Sequence, residues 1–175
     1  SQFFLVSSDV CILSNVQYDR ISELLNSRYG INPLTFWWST THTHSAPETS
    51  EQEIGVLFLP ERFKQPLDTA YSNMYERTLI EGIVEARSKL GPARLGVGWG
   101  FSQANVNRRA VLDGAAHLGM NPDGAVDRRV GLLRIDKADG TPLVCIANYP
   151  IHGTVLGSKN LEVSGDVPGA MSEYF

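Results

Sequence analysis

The sequence predicts an α/β protein in which a mixed β-sheet is flanked by helices. Short runs of β-branched, aromatic and aliphatic residues recur along the chain, from FFLV at residues 3–6 to PLVCIAN at residues 142–148. Between them, residues 68–90 carry apolar side chains at spacings of three and four, which is the pattern of one helix face. The composition, 42% hydrophobic and 19% charged, is that of a globular protein. Together these observations favour a folded α/β core.

The N-terminal part predicts strand, helix and strand in that order. FFLV and VCILS, at residues 3–6 and 10–14, favour two short strands or one bulged strand. Apolar residues at helical spacing over residues 19–29, followed by Gly30, predict a short amphipathic helix that ends at this glycine. The next segment, LTFWWSTTHTH at residues 34–44, favours a strand that leads directly into two histidines.

The middle of the chain predicts a loop, a helix, a strand and a second loop. Residues 45–66 are polar and acidic and contain three prolines, so we expect an ordered loop or lid. The helix over residues 68–90 has the clearest pattern and is ended by Gly91-Pro92. ARLGVGWGF, at residues 93–101, alternates and favours a strand. Residues 102–128 lack a clear pattern and predict a long loop that serves function.

The C-terminal part predicts a hairpin and a short helix. RVGLLRI and PLVCIAN are joined by DKADGT, in which Asp139-Gly140 favours a tight turn, and we expect both runs to be well buried in the sheet. VSGDVPGAMSEYF predicts a helix that is capped by Asp166 and has Pro168 in its first turn. Because the chain starts on a strand without a methionine and stops early in this helix, we expect residues 1–175 to be one truncated part of a larger domain.

The charge balance argues against nucleic acids and anionic membranes as partners. With 15 basic and 19 acidic residues the formal net charge is −4, which offers no general attraction to phosphate groups. No apolar run approaches the roughly 18–20 residues of a membrane span. Asp9 and the absence of a basic N-terminal region argue against a secretory signal. We expect a soluble protein, whose compartment and oligomeric state the sequence leaves open.

The two cysteines predict no disulfide framework. Cys11 and Cys145 each lie in an apolar run, which favours buried thiols, although one bridge between them is arithmetically possible.

Three of the four histidines lie in two unusual places. His42 and His44 belong to STTHTHS at the end of a predicted strand, and His152 belongs to NYPIHGTVLG after another. Side chains at i and i+2 of a strand share one face, so we expect both imidazoles of the pair on one surface and the intervening threonines on the other. Neutral imidazole is a common zinc ligand, and strand ends converge at one edge of an α/β sheet. The pattern favours a metal site over isolated structural histidines.

Other candidate residues carry weaker signals. Arg108 follows Asn105 and Asn107 in the predicted long loop, where its guanidinium is able either to hold a carbonyl, phosphate or carboxylate group or to lie in solvent. His117, in GAAHLGM, has no comparable context and is expected to be structural or exposed. Asp166 is explained better as a helix cap than as an acid or a ligand.

Four segments in a fixed order resemble one known family. STTHTHSAP, NVNRRA, NYPIHGT and VSGDVPGAM are similar to motifs in the N-terminal catalytic domain of neutral/alkaline non-lysosomal ceramidases, over nearly the whole chain. Members of this family are zinc amidases that hydrolyse the N-acyl bond of ceramide. The resemblance implies that His42 and His152 are zinc ligands, that His44 lies beside the metal and that Arg108 is the active-site arginine. It also implies that the remaining ligands and any nucleophile lie beyond Phe175.

The resemblance implies zinc-assisted hydrolysis of a small-molecule or lipid amide. A catalytic zinc ion usually keeps three protein ligands and one open position. His42 and His152 alone therefore form part of a site, with His44 as the candidate third ligand. We expect this chain to bind zinc weakly and to lack turnover by itself.

Two other functions remain open from the sequence. A metallohydrolase of the amidohydrolase type also places a His-x-His pair after an early strand. Its fold needs about 250 residues and eight βα units, and the single long helix and hairpin-linked strands argue against it. The other is a non-catalytic binding module whose polar loops recognise a partner. Metal analysis separates this module from an enzyme, because the module is expected to purify without stoichiometric zinc.

Overall fold

The computed structural model describes residues 2–49, 60–61 and 66–174, and it confirms the predicted α/β class. Over these residues the chain forms three α-helices and seven β-strands. It divides into a first unit, Ser1–Leu90 with His152–Tyr174, and a second unit, Gly91–Ile151. The loop or lid predicted over residues 45–66 lies mostly outside the described residues.

In its described residues, the first unit contains two strands, three α-helices and one short 3-10 helix. In chain order these are β1 (Phe4–Ser8), α1 (Asn15–Tyr29), the 3-10 helix (Pro33–Thr35), β2 (Phe36–Thr40), α2 (Thr69–Ser88) and α3 (Asp166–Tyr174). β1 and β2 form a parallel pair, with Phe4 opposite Phe36 and Ser8 opposite Thr40. In the described part of the chain, no helix combines the length and the apolar character that crossing a membrane requires.

One apolar core joins α1, α2 and β2. Its buried residues are Ile21, Leu25, Ile31, Phe36, Trp38, Leu79 and Ile83. Tyr18 stacks on Phe36 with ring centroids 5.5 Å apart, and its hydroxyl donates to the Phe36 carbonyl at 2.6 Å. The indole Nε1 of Trp38 donates to the Ser8 hydroxyl at 3.0 Å. These contacts hold β2 against α1 and β1, and so they set the starting point of the segment that follows β2.

The two long helices are confirmed, and capping residues mark their beginnings. The Ser14 side chain accepts from the amide of Gln17 at 3.1 Å, which starts α1 four residues earlier than the apolar pattern predicts. Gly30 ends α1 with a φ of +65°, a conformation that glycine adopts without strain. Asp68 caps α2 by accepting from the amide of Tyr71 at 2.9 Å. Hydrophobic periodicity predicted both helices because each buries one face in the core.

The expectation that residues 10–14 continue or repeat the first strand is wrong. The chain turns directly after β1, because the amide of Val10 bonds to the carbonyl of Ser8 at 2.9 Å. Val10 is only 2% exposed, so its apolar side chain is explained by burial in this turn and not by a strand. The turn brings Cys11 to the carboxyl end of β1, and Ser14 then begins the helix.

The second unit consists of five strands in two sheets. In chain order these are β3 (Ala93–Phe101), β4 (Asn107–Leu112), β5 (Ala115–Asn121), β6 (Arg129–Lys137) and β7 (Pro142–Asn148). β6 lies between β3 and β7 in an antiparallel sheet, while β4 and β5 form a separate hairpin. The predicted strand over residues 93–101 and the predicted β6–β7 hairpin are confirmed.

The prediction of a long loop over residues 102–128 is wrong. The segment contains the β4–β5 hairpin, whose turn residues Asp113 and Gly114 have φ values of +51° and +76°. An Asp-Gly pair with both residues left-handed suits a two-residue hairpin turn. The sequence signal for this hairpin was therefore present, but the flanking arginines, alanines and glycine obscured the strands.

Strand β7 is less buried than its apolar sequence suggests. Leu143 and Val144 are 54% and 44% exposed in the structure, so the expectation of a well-buried strand is wrong. Cys145, on the same strand, is exposed, whereas Cys11 is half-buried. Neither of these two cysteines forms a disulfide.

Substitution of Leu25 tests the core that supports the site. Leu25 is fully buried, so Leu25→Ala should lower the free energy of unfolding by about 2–5 kcal/mol. Leu34, which is 85% exposed, provides the control, and Leu34→Ala should change it by less than about 0.5 kcal/mol. Urea unfolding followed by circular dichroism measures both. Equal losses in the two variants would contradict the core described above.

Candidate metal centre

The candidate site begins where the parallel strands end. β1 ends at Ser8 and β2 at Thr40, and Cys11 and His42 follow shortly after these ends. Segments at the carboxyl ends of parallel strands commonly build sites in α/β folds. The expectation that the strand continues through residue 44 is wrong, because His42 has a φ of +60° and leaves the extended conformation.

A buried threonine explains the path of the chain between the paired histidines. Thr43 is fully buried, and its hydroxyl donates to the Ser164 carbonyl at 2.7 Å. The same hydroxyl oxygen accepts from the amide of Ser45 at 3.2 Å. With Thr43 anchored in this way, the rings of His42 and His44 lie 4.9 Å apart between centroids. Their proximity therefore arises from an anchored turn and not from strand alternation.

Three imidazole rings converge in the first unit. The Nε2 atom of His44 lies 3.3 Å from Nε2 of His42 and 3.0 Å from Nε2 of His152. The three ring centroids are 4.7–4.9 Å apart. His42 is half-buried, whereas His44 and His152 are exposed, so the cluster is accessible from solvent.

A backbone contact joins the two segments that carry these rings. The amide of His44 donates to the Gly153 carbonyl at 3.0 Å. A Cβ atom on Gly153 would lie 3.0 Å from both the carbonyl oxygen of His42 and Cα of Thr43. Steric contact thus explains why the IHG motif has a glycine at this position, since a larger residue would push the two segments apart.

The backbone of Cys11 orients the ring of His42. Nδ1 of His42 lies 2.6 Å from the Cys11 carbonyl oxygen, which accepts hydrogen bonds only. Nδ1 therefore carries a hydrogen, and in the neutral ring Nε2 presents its lone pair to the cluster. Ligating histidines typically donate their other N–H in this way. Sequence reasoning missed Cys11, and its place just after the first strand was the signal that could have found it.

The Cys11 side chain also lies near the histidine pair. Its Sγ atom is 3.8 Å from Nδ1 of His42. One possible ligand atom from each of Cys11, His42 and His44 can be chosen so that all three lie within 4.8 Å of one another. A thiol at this position adds a soft donor beside the imidazoles.

The spacing of the Nε2 atoms fits a zinc ion. Zinc binds imidazole at about 2.0–2.1 Å with tetrahedral angles, which places ligand nitrogens about 3.3–3.4 Å apart. The separations of 3.3 Å and 3.0 Å around His44 are close to this spacing. One ring nitrogen holds either a hydrogen or a lone pair, so Nε2 of His44 is unable to form two good hydrogen bonds at once. A shared cation would satisfy both contacts.

Asp166, which was expected to cap α3, lies at the start of that helix and also bonds to a second segment. It is the first residue of that helix, and its carboxylate accepts from the amides of Val167 at 2.6 Å, Val155 at 3.2 Å and Leu156 at 3.1 Å. Burial acts to raise the pKa of Asp166, but the three amide donors and the nearby His44 hold it below its ordinary value. Sequence reasoning identified the helix start and missed the contact with residues 155–156.

Arg108 and His117 belong to the second unit. Arg108 was expected in a loop, but it lies on β4. Its Nε donates to the Gly119 carbonyl on β5 at 3.0 Å. Its side chain is exposed and crosses the hairpin. His117 lies on β5 opposite Ala110 and is exposed.

Comparisons with known proteins converge on one family. The family model described as neutral/alkaline non-lysosomal ceramidase, N-terminal, matches residues 1–175. Neutral ceramidase B of Dictyostelium discoideum is 29% identical, with an alignment that covers 95% of this chain and 24% of that protein. The neutral ceramidase of Oryza sativa subsp. japonica is 27% identical, with coverages of 97% and 22%.

A solved structure shows the same fold. The crystal structure of neutral ceramidase from Pseudomonas aeruginosa matches with a TM-score of 0.76 and 21% identity, over 97% of this chain and 27% of that chain. At this level of identity the likeness concerns the fold. The chain spans about a quarter of the length of these relatives.

Substitution of Gly153 tests the close approach of the two histidine-bearing segments. Gly153→Ala must displace backbone atoms, so we expect the free energy of unfolding to fall by about 1–3 kcal/mol. Gly82, inside α2, has nothing within 4 Å of an added Cβ, so Gly82→Ala should raise it by about 0.5–1 kcal/mol. Chemical unfolding of both variants measures these opposite changes. A shift of both in the same direction would argue against the steric role of Gly153.

Proposed function

The chain belongs to the neutral/alkaline non-lysosomal ceramidase family, and from that membership we propose that it supplies histidines to the zinc centre of an amidase that acts on ceramide or a related lipid amide. The names of the relatives, neutral ceramidases, support this substrate class. The observation that carries the proposal is the convergence of three Nε2 atoms, with separations of 3.0 Å and 3.3 Å around His44.

In this proposal His42 and His152 are the zinc ligands. The bond between Nδ1 of His42 and the Cys11 carbonyl leaves Nε2 of His42 ready to donate its lone pair. The bond between the His44 amide and the Gly153 carbonyl brings the residue after His152 to the same place. Two segments of the chain thus contribute one ligand each, and both are oriented by backbone contacts.

His44 is proposed as the catalytic residue beside the ion. Its Nε2 lies between the nitrogens of His42 and His152, and its ring is exposed to an approaching substrate. From this position Nε2 is able to complete the ligand set of the isolated chain. Where another ligand completes it, the same nitrogen is able to take up a proton and return it to the leaving amine.

The chemistry follows from the metal and the residues around it. When bound, a zinc ion would supply Lewis acidity, which lowers the pKa of a water molecule to about 7 and polarises the amide carbonyl. The exposed imidazoles leave room for the amide group. Arg108 is proposed as the active-site arginine, whose planar guanidinium binds a polar group of the substrate.

The relatives are about four times as long as this chain, which affects the activity expected of the chain alone. A catalytic zinc ion takes three protein ligands and one open position, and this chain offers His42 and His152 with His44 as the third nitrogen. It spans about a quarter of each relative, so further ligands have room in the remainder of a protein of that length. We therefore expect the 175-residue chain to bind zinc weakly and to hydrolyse no ceramide alone.

The topology does not favour an amidohydrolase barrel. Such a barrel needs eight parallel strands, each followed by a helix. In the described residues of the second unit, β3 pairs antiparallel with β6, β6 with β7, and β4 with β5. Only β1 and β2 pair in parallel among the described strands.

Zinc titration of single variants tests the ligand assignment. Removing a supporting residue typically costs about 10–100-fold in metal affinity, so His42→Ala and His152→Ala should each cost about 100-fold or more. His44→Ala should also weaken binding, by less than either ligand variant. His117, exposed on β5, provides the control, and His117→Ala should leave the affinity unchanged. Competition with a zinc-binding dye measures the dissociation constants.

Two results would overturn this assignment. Unchanged affinity in both His42→Ala and His152→Ala would remove the ligand roles. A wild-type chain that binds no zinc would instead favour a non-catalytic binding module.

The proposed role of Arg108 requires a polypeptide that extends this chain to the length of its relatives. In such a protein Arg108→Lys should lower kcat/KM for a fluorescent ceramide by about 100-fold, as when one donor to the reacting group is lost. Arg109, the exposed neighbour on β4, provides the control, and Arg109→Lys should retain activity. Equal activity of the two variants would argue against an active-site role for Arg108.

A further inference from the structure

The carboxylate of Asp166 bonds to the turn that carries His152. It accepts from the amides of Val155 and Leu156 at 3.2 Å and 3.1 Å. Within this turn the amide of Thr154 bonds to the His152 carbonyl at 2.8 Å. The carboxylate therefore holds backbone that lies within four residues of the His152 ring.

Asp166 adopts an unfavourable backbone conformation to make this contact. Its φ of +52° is in the left-handed region, which few residues other than glycine, asparagine and aspartate occupy. Hydrogen bonds from amides to a carboxylate are strong because the acceptor is charged, and three of them offset the strain. A residue that only started α3 would need neither this conformation nor the amides of residues 155 and 156.

The residues next to Asp166 hold the other histidine-bearing segment. The amide of Asp166 donates to the Ser164 hydroxyl at 3.1 Å. Ser164 accepts from the Thr43 hydroxyl at 2.7 Å, and its amide donates to the Ser45 carbonyl at 2.8 Å. Residues 164–166 thus bond to both segments that contribute imidazoles.

We propose that Asp166 is a positioning residue of the histidine cluster, whose carboxylate holds the turn after His152 so that the rings of His152 and His44 stay in contact. The two Nε2 atoms are 3.0 Å apart with the turn in this position. Asp166 supplies no ligand in this arrangement. Its effect on zinc affinity rests on the proposed function, whereas its effect on ring positions does not.

Two substitutions separate the carboxylate from the backbone conformation. Asp166→Gly removes the acceptor and favours the same φ, while Asp166→Asn keeps one acceptor oxygen and tolerates that φ. In the metal-free wild-type chain, NMR should show ring-to-ring Overhauser contacts between His44 and His152. Asp166→Gly should abolish them and accelerate amide exchange at Val155 and Leu156 about tenfold or more. Asp166→Asn should retain part of both signals.

Zinc titration of the same variants adds a second readout. Asp166→Gly should raise the dissociation constant about 10–100-fold, as expected for a residue that supports ligands, and Asp166→Asn should raise it less. Asp139 is a matched control, because it holds a turn by accepting from the Thr141 amide at 2.9 Å in the second unit. Asp139→Gly should leave the ring contacts and the zinc affinity unchanged.

The outcomes distinguish this role from the proposed function. Unaltered ring contacts and amide exchange in Asp166→Gly overturn the positioning role, whether or not the chain binds zinc. Separated rings in a chain that binds no zinc support the positioning role and contradict the proposed function. If Asp166→Gly fails to fold, Asp166→Asn decides, since unchanged contacts and exchange in that folded variant also overturn the role.

Discussion

The histidine cluster depends on a close backbone contact, in which the amide of His44 donates to the carbonyl of Gly153 at 3.0 Å. It joins segments whose histidines, His44 and His152, are 108 positions apart in the chain. The glycine allows this approach because a Cβ atom would collide with the backbone of residues 42 and 43. The three imidazole rings lie close together because the two backbone segments that carry them are in direct contact.

Successive layers of contacts stabilise that location. The buried aromatic core holds β2, and the hydroxyl of buried Thr43 then anchors the segment that follows it. The Cys11 carbonyl fixes which nitrogen of His42 faces the cluster. When side chains are already oriented by their surroundings, ligand binding costs less conformational entropy, because fewer side chains have to be immobilised. The bond between the His44 amide and the Gly153 carbonyl brings the backbone of both exposed histidines to this place.

The sequence predicted the parts of the fold that bury a periodic face. Apolar spacing and turn residues predicted α1, α2 and the β6–β7 hairpin. The two histidine motifs predicted the candidate site. The β4–β5 hairpin was missed because exposed strands rich in arginine and alanine carry little alternation. Neither the left-handed turn at His42 nor the Asp166 contact with residues 155–156 has a local signal, since both depend on segments ten or more residues away in the chain.

X-ray absorption spectroscopy of the zinc-loaded chain measures the shared location of the imidazoles most directly, because the signal counts the atoms bound to the metal. We expect nitrogen ligands at about 2.0–2.1 Å with the outer-shell scattering of three imidazole rings. The His152→Ala chain should show one ring fewer. A zinc shell made of carboxylate oxygens, or a spectrum that His152→Ala leaves unaltered, would contradict the convergence of these rings on one ion.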